Sequence, residues 1–314
     1  MSRYLNVAML QIASTSANPD LEARKREHWG KMAFYLDTMC HINPHINLVV
    51  APEIYIDGMD PLHMDELAET IPGPMTDLFC AKAQELGIWL VPGSMLERVP
   101  DEEGFYNAAM LISPKGEIVM KYRKIFIPRP MEPSKPGREF PVYHIEGIGT
   151  VGLMICADAH VPEVARNLAL NGAELLLKPA LQPHWIGNVR NLVPVVQTRA
   201  IENQCFFVSV NHPAPIAMGH SCICDPEGRI VEELGETDSY VVATLNMDDV
   251  RLAREKGFAG CFPLLKMVRT FRQEGVPLDK CYLGGLCEAP VFKELEGNAP
   301  STPEELLREG HQML

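Results

Sequence analysis

Three residues of this sequence could together cleave an amide. Cys156 closes the apolar run Val151–Ile155, just ahead of Asp158 and the helix-opening pair Pro162-Glu163. Glu53 in VVAPEIY and Lys124 in KYRKIFIP each follow an apolar, strand-like run of their own. A thiol at a strand's end, before a turn and a helix, can point into a cleft. Free cysteines are mostly inert core residues, so the case rests on the three residues jointly. Amide hydrolysis needs a nucleophile, a base to activate it, an acid for the leaving amine and donors for the oxyanion. A thiol with a free pKa of about 8.5 is only slightly ionised at neutral pH. Glu53 could take its proton and pass it to departing ammonia. Lys124 would face the developing oxyanion, with the backbone N–H of Ala157, next after the nucleophile, as second donor. Water would then hydrolyse the thioester.

Taken in order, the three stretches resemble the nitrilase superfamily, the carbon–nitrogen hydrolases with a Glu-Lys-Cys triad. VVAPEIY matches that family's PE block, KYRKIFIP its YRKxxLP block, and CADAHVPE its CxDxxxPE block. The gaps between them are family-like, and the resemblance runs over residues 4–260. It implies an α/β fold, a four-layer αββα sandwich, with no metal or cofactor. It also implies a role for Glu132, eight positions after Lys124, where the family often has a second glutamate that positions substrate or water. That spacing resembles the aliphatic amidase branch; carbamoyl-hydrolase branches usually have a longer one.

Two further positions speak to substrate. True nitrilases usually carry Trp-Glu directly after the cysteine, and this chain has Ala157-Asp158, which favours amides over nitriles. Hydrolases of carbamoyl amino acids usually carry arginine where His160 stands, and imidazole cannot make the bidentate fork that grips a carboxylate. The expected substrate is therefore a small or uncharged linear amide, with Ala157, His160, Tyr55 and Trp185 assigned to its pocket. The alternative is an N-carbamoyl amine or N-carbamoyl amino acid hydrolase using Arg129, Arg138 or Arg190. A nitrilase or a non-catalytic scaffold comes third, and the intact triad argues against the scaffold.

The elements that must position these residues follow from periodicity. Leu5–Ile12 reads as a buried strand, and Asn18-Pro19 as the cap and first position of a helix running to about Cys40. Asn47–Ala51 is a short strand delivering Glu53, and Ile56–Thr70 is loop-like. A helix over Met75–Leu86 closes at Gly87. Ile88–Leu96 and Tyr106–Ile112 read as strands. The Ser113-Pro114-Lys115-Gly116 turn returns Glu117–Tyr122 as a hairpin partner. Arg129–Phe140, rich in proline, reads as a surface loop. After the cysteine strand come a strand over Glu174–Leu177 and a helix over Asn188–Asn203 containing Pro194. Strands follow over Cys205–Val210, His220–Cys224, Arg229–Leu234 and Ser239–Leu245, then a helix over Met247–Lys256. Strand–helix units mixed with hairpins suit two packed sheets with helices outside. Propensity alone leaves a doubly wound sheet about as favoured.

The domain is expected over residues 1–263. Residues 264–314 mix Gly, Pro and charge, and Thr302-Pro303-Glu304-Glu305 is a capping box with proline at N1. Such a tail stays ordered when it docks on something. In the family these arms commonly wrap a neighbouring subunit, so a homodimer or higher homo-oligomer is expected. The 314 residues carry 41 acidic against 28 basic side chains, a net charge of −13, which argues against nucleic acid or an anionic membrane surface as partner. MSRYLNVAMLQ enters a strand at once, with no signal-peptide pattern, and no apolar run approaches a membrane span. Nine irregularly spaced cysteines fit a reducing cytoplasm. His220, Cys222 and Cys224 alternate as soft ligands would, but small core residues are the favoured reading.

Overall fold

The computed structural model describes residues 2–273, apart from residues 59, 130, 184–188 and 258–260. The proposed arm beyond residue 273 therefore lies outside the described residues. In chain order the elements begin with β1 (Tyr4–Gln11), α1 (Leu21–Ile42), β2 (Leu48–Val50), the single turn α2 (Met64–Leu67) and α3 (Pro74–Leu86). Then come β3 (Trp89–Val91), β4 (Ser94–Arg98), β5 (Phe105–Ile112), β6 (Ile118–Arg123), β7 (Val142–Ile145) and β8 (Gly149–Leu153). A 3-10 turn over Cys156–His160 leads into α4 (Pro162–Leu170), β9 (Leu175–Ala180), α5 (Val189–Asn203) and β10 (Phe206–Asn211). The chain continues with β11 (Cys222–Cys224), β12 (Ile230–Glu233), β13 (Ser239–Asn246), α6 (Asp248–Glu255) and α7 (Leu264–Gln273).

The strands form two sheets. One runs β13-β1-β2-β3-β5-β4, with β6 also paired to β5, and the other runs β12-β11-β10-β9-β8-β7. Side chains alternate across a strand, and β1 shows what that does. Leu5, Val7 and Met9 enter the core with Val151, Leu153, Leu175 and Val208 of the second sheet. Ala8 and Leu10 face the other way, onto Met32, Leu36 and Met39 of α1 and Phe79 and Ala83 of α3. On the far side, Val164 and Leu168 of α4 and Val196 and Ala200 of α5 cover the second sheet. The result is an αββα sandwich, and the doubly wound alternative is excluded. None of the helices described is long and apolar enough to cross a membrane.

Several boundaries differ from the sequence reading for local reasons. The cap of α1 is Asp20, whose carboxylate accepts the Ala23 N–H at 2.8 Å, while Asn18 instead turns the chain before it. The stretch 56–70 contains α2, and Glu69 pairs its backbone with β4. The expected single strand over 88–96 is broken into β3 and β4 at Gly93, where φ is +91°. β7 was not anticipated. The 129–140 segment is no simple surface loop: Lys135 N–H donates to Phe105 O at 2.7 Å, and Glu132 and Ser134 are buried. His220 lies outside β11 and pairs with Glu233, so the three soft side chains do not share one strand face. Finally, α7 packs against α5 and α6, so the first residues assigned to the extension dock on their own domain.

Candidate active site

Each of the three chemical segments is fixed by its neighbours before any side chain acts. Past β2, Ala51 N–H donates to Val91 O at 2.9 Å and Ile54 N–H to Ser94 Oγ at 3.0 Å. Glu53 thus sits on a rail formed by the β3–β4 junction. Past β6, Lys124 N–H donates to Asn107 O at 2.9 Å and Gly137 N–H to Lys124 O at 2.7 Å. β8 ends at Leu153, and Cys156 opens the 3-10 turn with φ +45°. A non-glycine residue in that region costs about 1–2 kcal/mol, borne here because the turn swings the thiol out of the sheet.

Asp158 locks this turn to the lysine segment. Its buried carboxylate accepts Tyr122 Oη–H at 2.7 Å, Phe126 N–H at 2.8 Å and Ile155 N–H at 3.0 Å. Burial pushes its pKa up to about 6, against the opposing pull of those donors. Asp158 is therefore a tie between two chemical segments.

The side chains converge in one buried array. Lys124 Nζ donates to Glu53 Oε1 at 2.7 Å and to Glu132 Oε2. Asn107 Nδ2 donates to Glu53 Oε1 at 2.9 Å and to Glu132 Oε1 at 3.0 Å. Leu181 N–H donates to Glu53 Oε2 at 2.7 Å, and Ser134 Oγ to Glu132 Oε1 at 2.8 Å. Cys156 Sγ donates to Leu181 O at 3.5 Å.

Burial and charge set the protonation states. Burial pushes the Cys156 thiol up to about 12 and the Glu53 carboxylate reinforces it, while Lys124 and Lys178 pull the other way. The thiol is thus protonated at neutral pH and needs a base. Burial also raises the Glu53 carboxyl; Lys124 opposes this and Glu132 adds to it. Burial disfavours the Lys124 ammonium, but Glu53 and Glu132 outweigh it, holding the pKa well above the usual lysine range. Lys124 stays cationic between two carboxylates.

These groups line a cleft with about 540 Å³ of free space counted out to its open mouth. Glu53, Lys124, Glu132, Cys156, Ala157 and His160 all reach it, and Ile54, Met64, Met131 and Leu181 give it an apolar wall. Tyr55 does not line it. The ring is fully buried behind Glu53, stacked on His212 at 5.9 Å, which corrects its assignment to the pocket. The reason is the reversal at Ile54, where φ is +42°. Trp185 lies outside the described residues. Arg129 turns its guanidinium to Ser134 O at 3.2 Å, and Arg138 lines a separate cleft.

Sequence reasoning missed Asn107, Ser134, Leu181 and Gln182. Leu181 acts through its backbone, which leaves no sequence signal; Asn107 and Gln182 are single polar residues among mostly apolar ones, and Ser134 is one of several polar residues in a proline-rich run. Gln182 forms the polar end of the cavity. Lys178 Nζ donates to its Oε1 at 3.3 Å, and its Nε2 meets His160 Nε2 at 2.9 Å. An ammonium only donates, so the amide oxygen faces Lys178, its NH₂ faces the ring, and His160 accepts there as a neutral imidazole.

The carbon–nitrogen hydrolase family model matches residues 6–255. The 2-oxoglutaramate amidase of Bacillus subtilis (strain 168) is 30% identical over 223 residues, covering 67% of this chain and 82% of that protein. The deaminated glutathione amidase of Homo sapiens is 32% identical over 228 residues, 66% of this chain and 69% of the other. The formamidase of Bacillus cereus (strain Q1) is 38% identical over 141 residues, 43% and 41% of the two chains. Among solved structures, Saccharomyces cerevisiae Nit3, a member of branch 10 of the nitrilase superfamily, shares the fold with a TM-score of 0.73 at 23% identity, over 81% of this chain and 94% of that one. An amidase from Nesterenkonia sp. does so with a TM-score of 0.69 at 22% identity, over 86% and 97%.

Proposed function

The chain belongs to the carbon–nitrogen hydrolase family, and on that premise we propose that it hydrolyses a small linear amide to a carboxylate and ammonia through a Cys156 thioester. The observation that carries this reading is the buried array itself: one thiol, two carboxylates and the ammonium between them, opening on one cavity. The thiol transfers its proton to Glu53 as sulfur attacks the carbonyl carbon. The tetrahedral oxyanion forms against Lys124 Nζ and the Ala157 N–H, and preorganised donors of this kind stabilise it most where water is excluded. Glu53 then gives the proton to the amine nitrogen, the C–N bond breaks and ammonia leaves. A water enters and loses a proton to Glu53; its oxygen attacks the thioester, and the carboxylate departs as the thiol is restored.

Glu132 accepts a hydrogen bond from the substrate NH₂ and turns the carbonyl carbon toward sulfur. A nitrile has no such N–H to offer. Three of the relatives are named for amide substrates, which supports the amide reading. The apolar wall with one neutral His160–Gln182 end suits an uncharged or lightly polar acyl group. Ammonia release across a panel of amides, carbamoyl compounds and nitriles, with Cys156→Ala as the blank, tests the proposal. Amide turnover that vanishes in Cys156→Ala is the expected result; turnover surviving that change would overturn it.

The capping-box sequence Thr302-Pro303-Glu304-Glu305 motivates a homo-oligomer held partly by residues 264–314, and the cysteine usage motivates a reducing cytoplasm as its setting.

A further inference from the structure

We propose that the Asn107 side-chain amide is the clamp that holds Glu53 and Glu132 as two ionised carboxylates around one lysine, and so keeps Glu53 ready to act as base. This rests on the reading of Glu53 as the base, and it adds a positioning residue that acts through the two glutamates and does not line the cavity.

The argument begins with hydrogen-bond supply. One NH₂ group has two hydrogens, and Asn107 Nδ2 has Glu53 Oε1 at 2.9 Å and Glu132 Oε1 at 3.0 Å. A donor at these distances favours the ionised acceptor over the protonated one. The residue is fully buried, and its Oδ1 is buried with no hydrogen-bond partner among the described residues. Buried amides normally satisfy both ends. Turning this one over would aim its oxygen at both carboxylates, so the orientation with both hydrogens toward Glu53 and Glu132 is the one that fits. The same residue also accepts the Lys124 N–H on its backbone oxygen at 2.9 Å. Asn107 therefore sets the backbone of the lysine and the side chains of both glutamates.

Charge explains why a neutral residue stands there. Among the described residues Lys124 is the one cation paired with both carboxylates, and burial raises the Glu53 carboxyl. A second cation would hold Glu53 too acidic to take a proton from a buried thiol. An amide supplies the missing donors without that charge. Losing it removes donors that the ionised pair accepts more strongly than a protonated one, so Glu53 should hold a proton to higher pH and be unable to act as base until that pH is passed.

Asn107→Leu, which keeps the volume, and Asn107→Ser, which keeps one donor, test this. For each, kcat/KM is followed against pH alongside thermal unfolding and alkylation of Cys156 by iodoacetamide. In Asn107→Leu the acid limb should move up by about one pH unit or more, a roughly tenfold loss at pH values below the limb that is regained as pH rises. Asn107→Ser should lie between it and the unmodified enzyme. A merely structural role would lower activity equally at every pH, and that result, or activity within about threefold of the unmodified enzyme on a tenfold scale of one pH unit, overturns the clamp. Infrared spectra of the unmodified enzyme need no variant to fold: Glu53 should be ionised at neutral pH, and a protonated carboxyl band that disappears in Glu53→Gln also overturns the clamp. If no acyl or alkyl adduct forms on Cys156 in the unmodified enzyme, the underlying reading of the site fails instead.

Discussion

Alanine at Gly93 should disable the base without touching a chemical residue. Gly93 joins β3 to β4 with φ +91°, and a Cβ built there would lie 1.8 Å from Pro52 O and 2.9 Å from Pro52 C. Real Cβ contacts are not found below 3.0 Å, so the two backbones must part by about 1 Å. The obstacle is the peptide that precedes Glu53, and no side chain can swing aside. The left-handed backbone adds about 1–2 kcal/mol for an L-residue. Displacing a catalytic group by about 1 Å typically costs on the order of 100-fold in rate, about 2.7 kcal/mol in the barrier. Gly93→Ala should therefore lose that much in kcat on the best amide substrate while Cys156 can still be labelled to completion. Gly87→Ala is the control. Gly87 has φ +66° with nothing within 4 Å of its Cβ position, so it should lose about 1 kcal/mol of stability and keep its activity. Kinetics and thermal unfolding of both variants decide the matter. If Gly93→Ala folds with activity within about threefold, when the displacement predicts about 100-fold, the contact does not position Glu53. If Gly87→Ala loses as much, the damage is general destabilisation.

Other outcomes follow from the same array. Glu132→Gln keeps the size but loses the charge, so amide turnover should fall by about tenfold or more while alkylation of Cys156 by a neutral reagent slows far less; equal effects would remove Glu132 from substrate orientation. Lys178 is fully buried with no carboxylate within ion-pair distance among the described residues, and burial lowers its pKa from the ordinary 10.5. The unfolded chain then binds more protons than the folded one between the lowered value and 10.5, so this residue makes stability rise with pH across that window. Lys178→Met should flatten that slope and stabilise the protein at neutral pH by about 1 kcal/mol or more, checked by denaturant titration at several pH values; a less stable variant would show that the ammonium is well satisfied. Sedimentation should give at least twice the 35.0 kDa chain mass at micromolar concentration, against a monomer if residues 264–314 do not join subunits.

Sequence and tertiary structure divide the determination of this protein along a physical line. Glu53, Lys124 and Cys156 are legible because each ends an apolar run, and a polar residue of the right chemistry at a strand end is a local signal. Their order and spacing also reveal the family, and through it the four layers that propensity could not choose over a doubly wound sheet. Alternation along β1 marks which residues are buried, but not that one face meets a second sheet and the other a helix; that depends on sheet partners more than 100 positions away and on helix residues between Met32 and Ala83. The 129–140 segment carries every local mark of an exposed loop, yet Glu132 is drawn inside, because an ammonium and an amide donor wait there. Tyr55 shows the converse: its nearness to Glu53 in sequence suggests the pocket, and the left-handed backbone at Ile54 sends it into the core. Asn107 and the Leu181 N–H leave almost no trace in the sequence. Their contribution is a hydrogen bond to a residue 54 or 128 positions distant, and an unlabelled asparagine or a backbone amide becomes part of the site only when the fold closes around it.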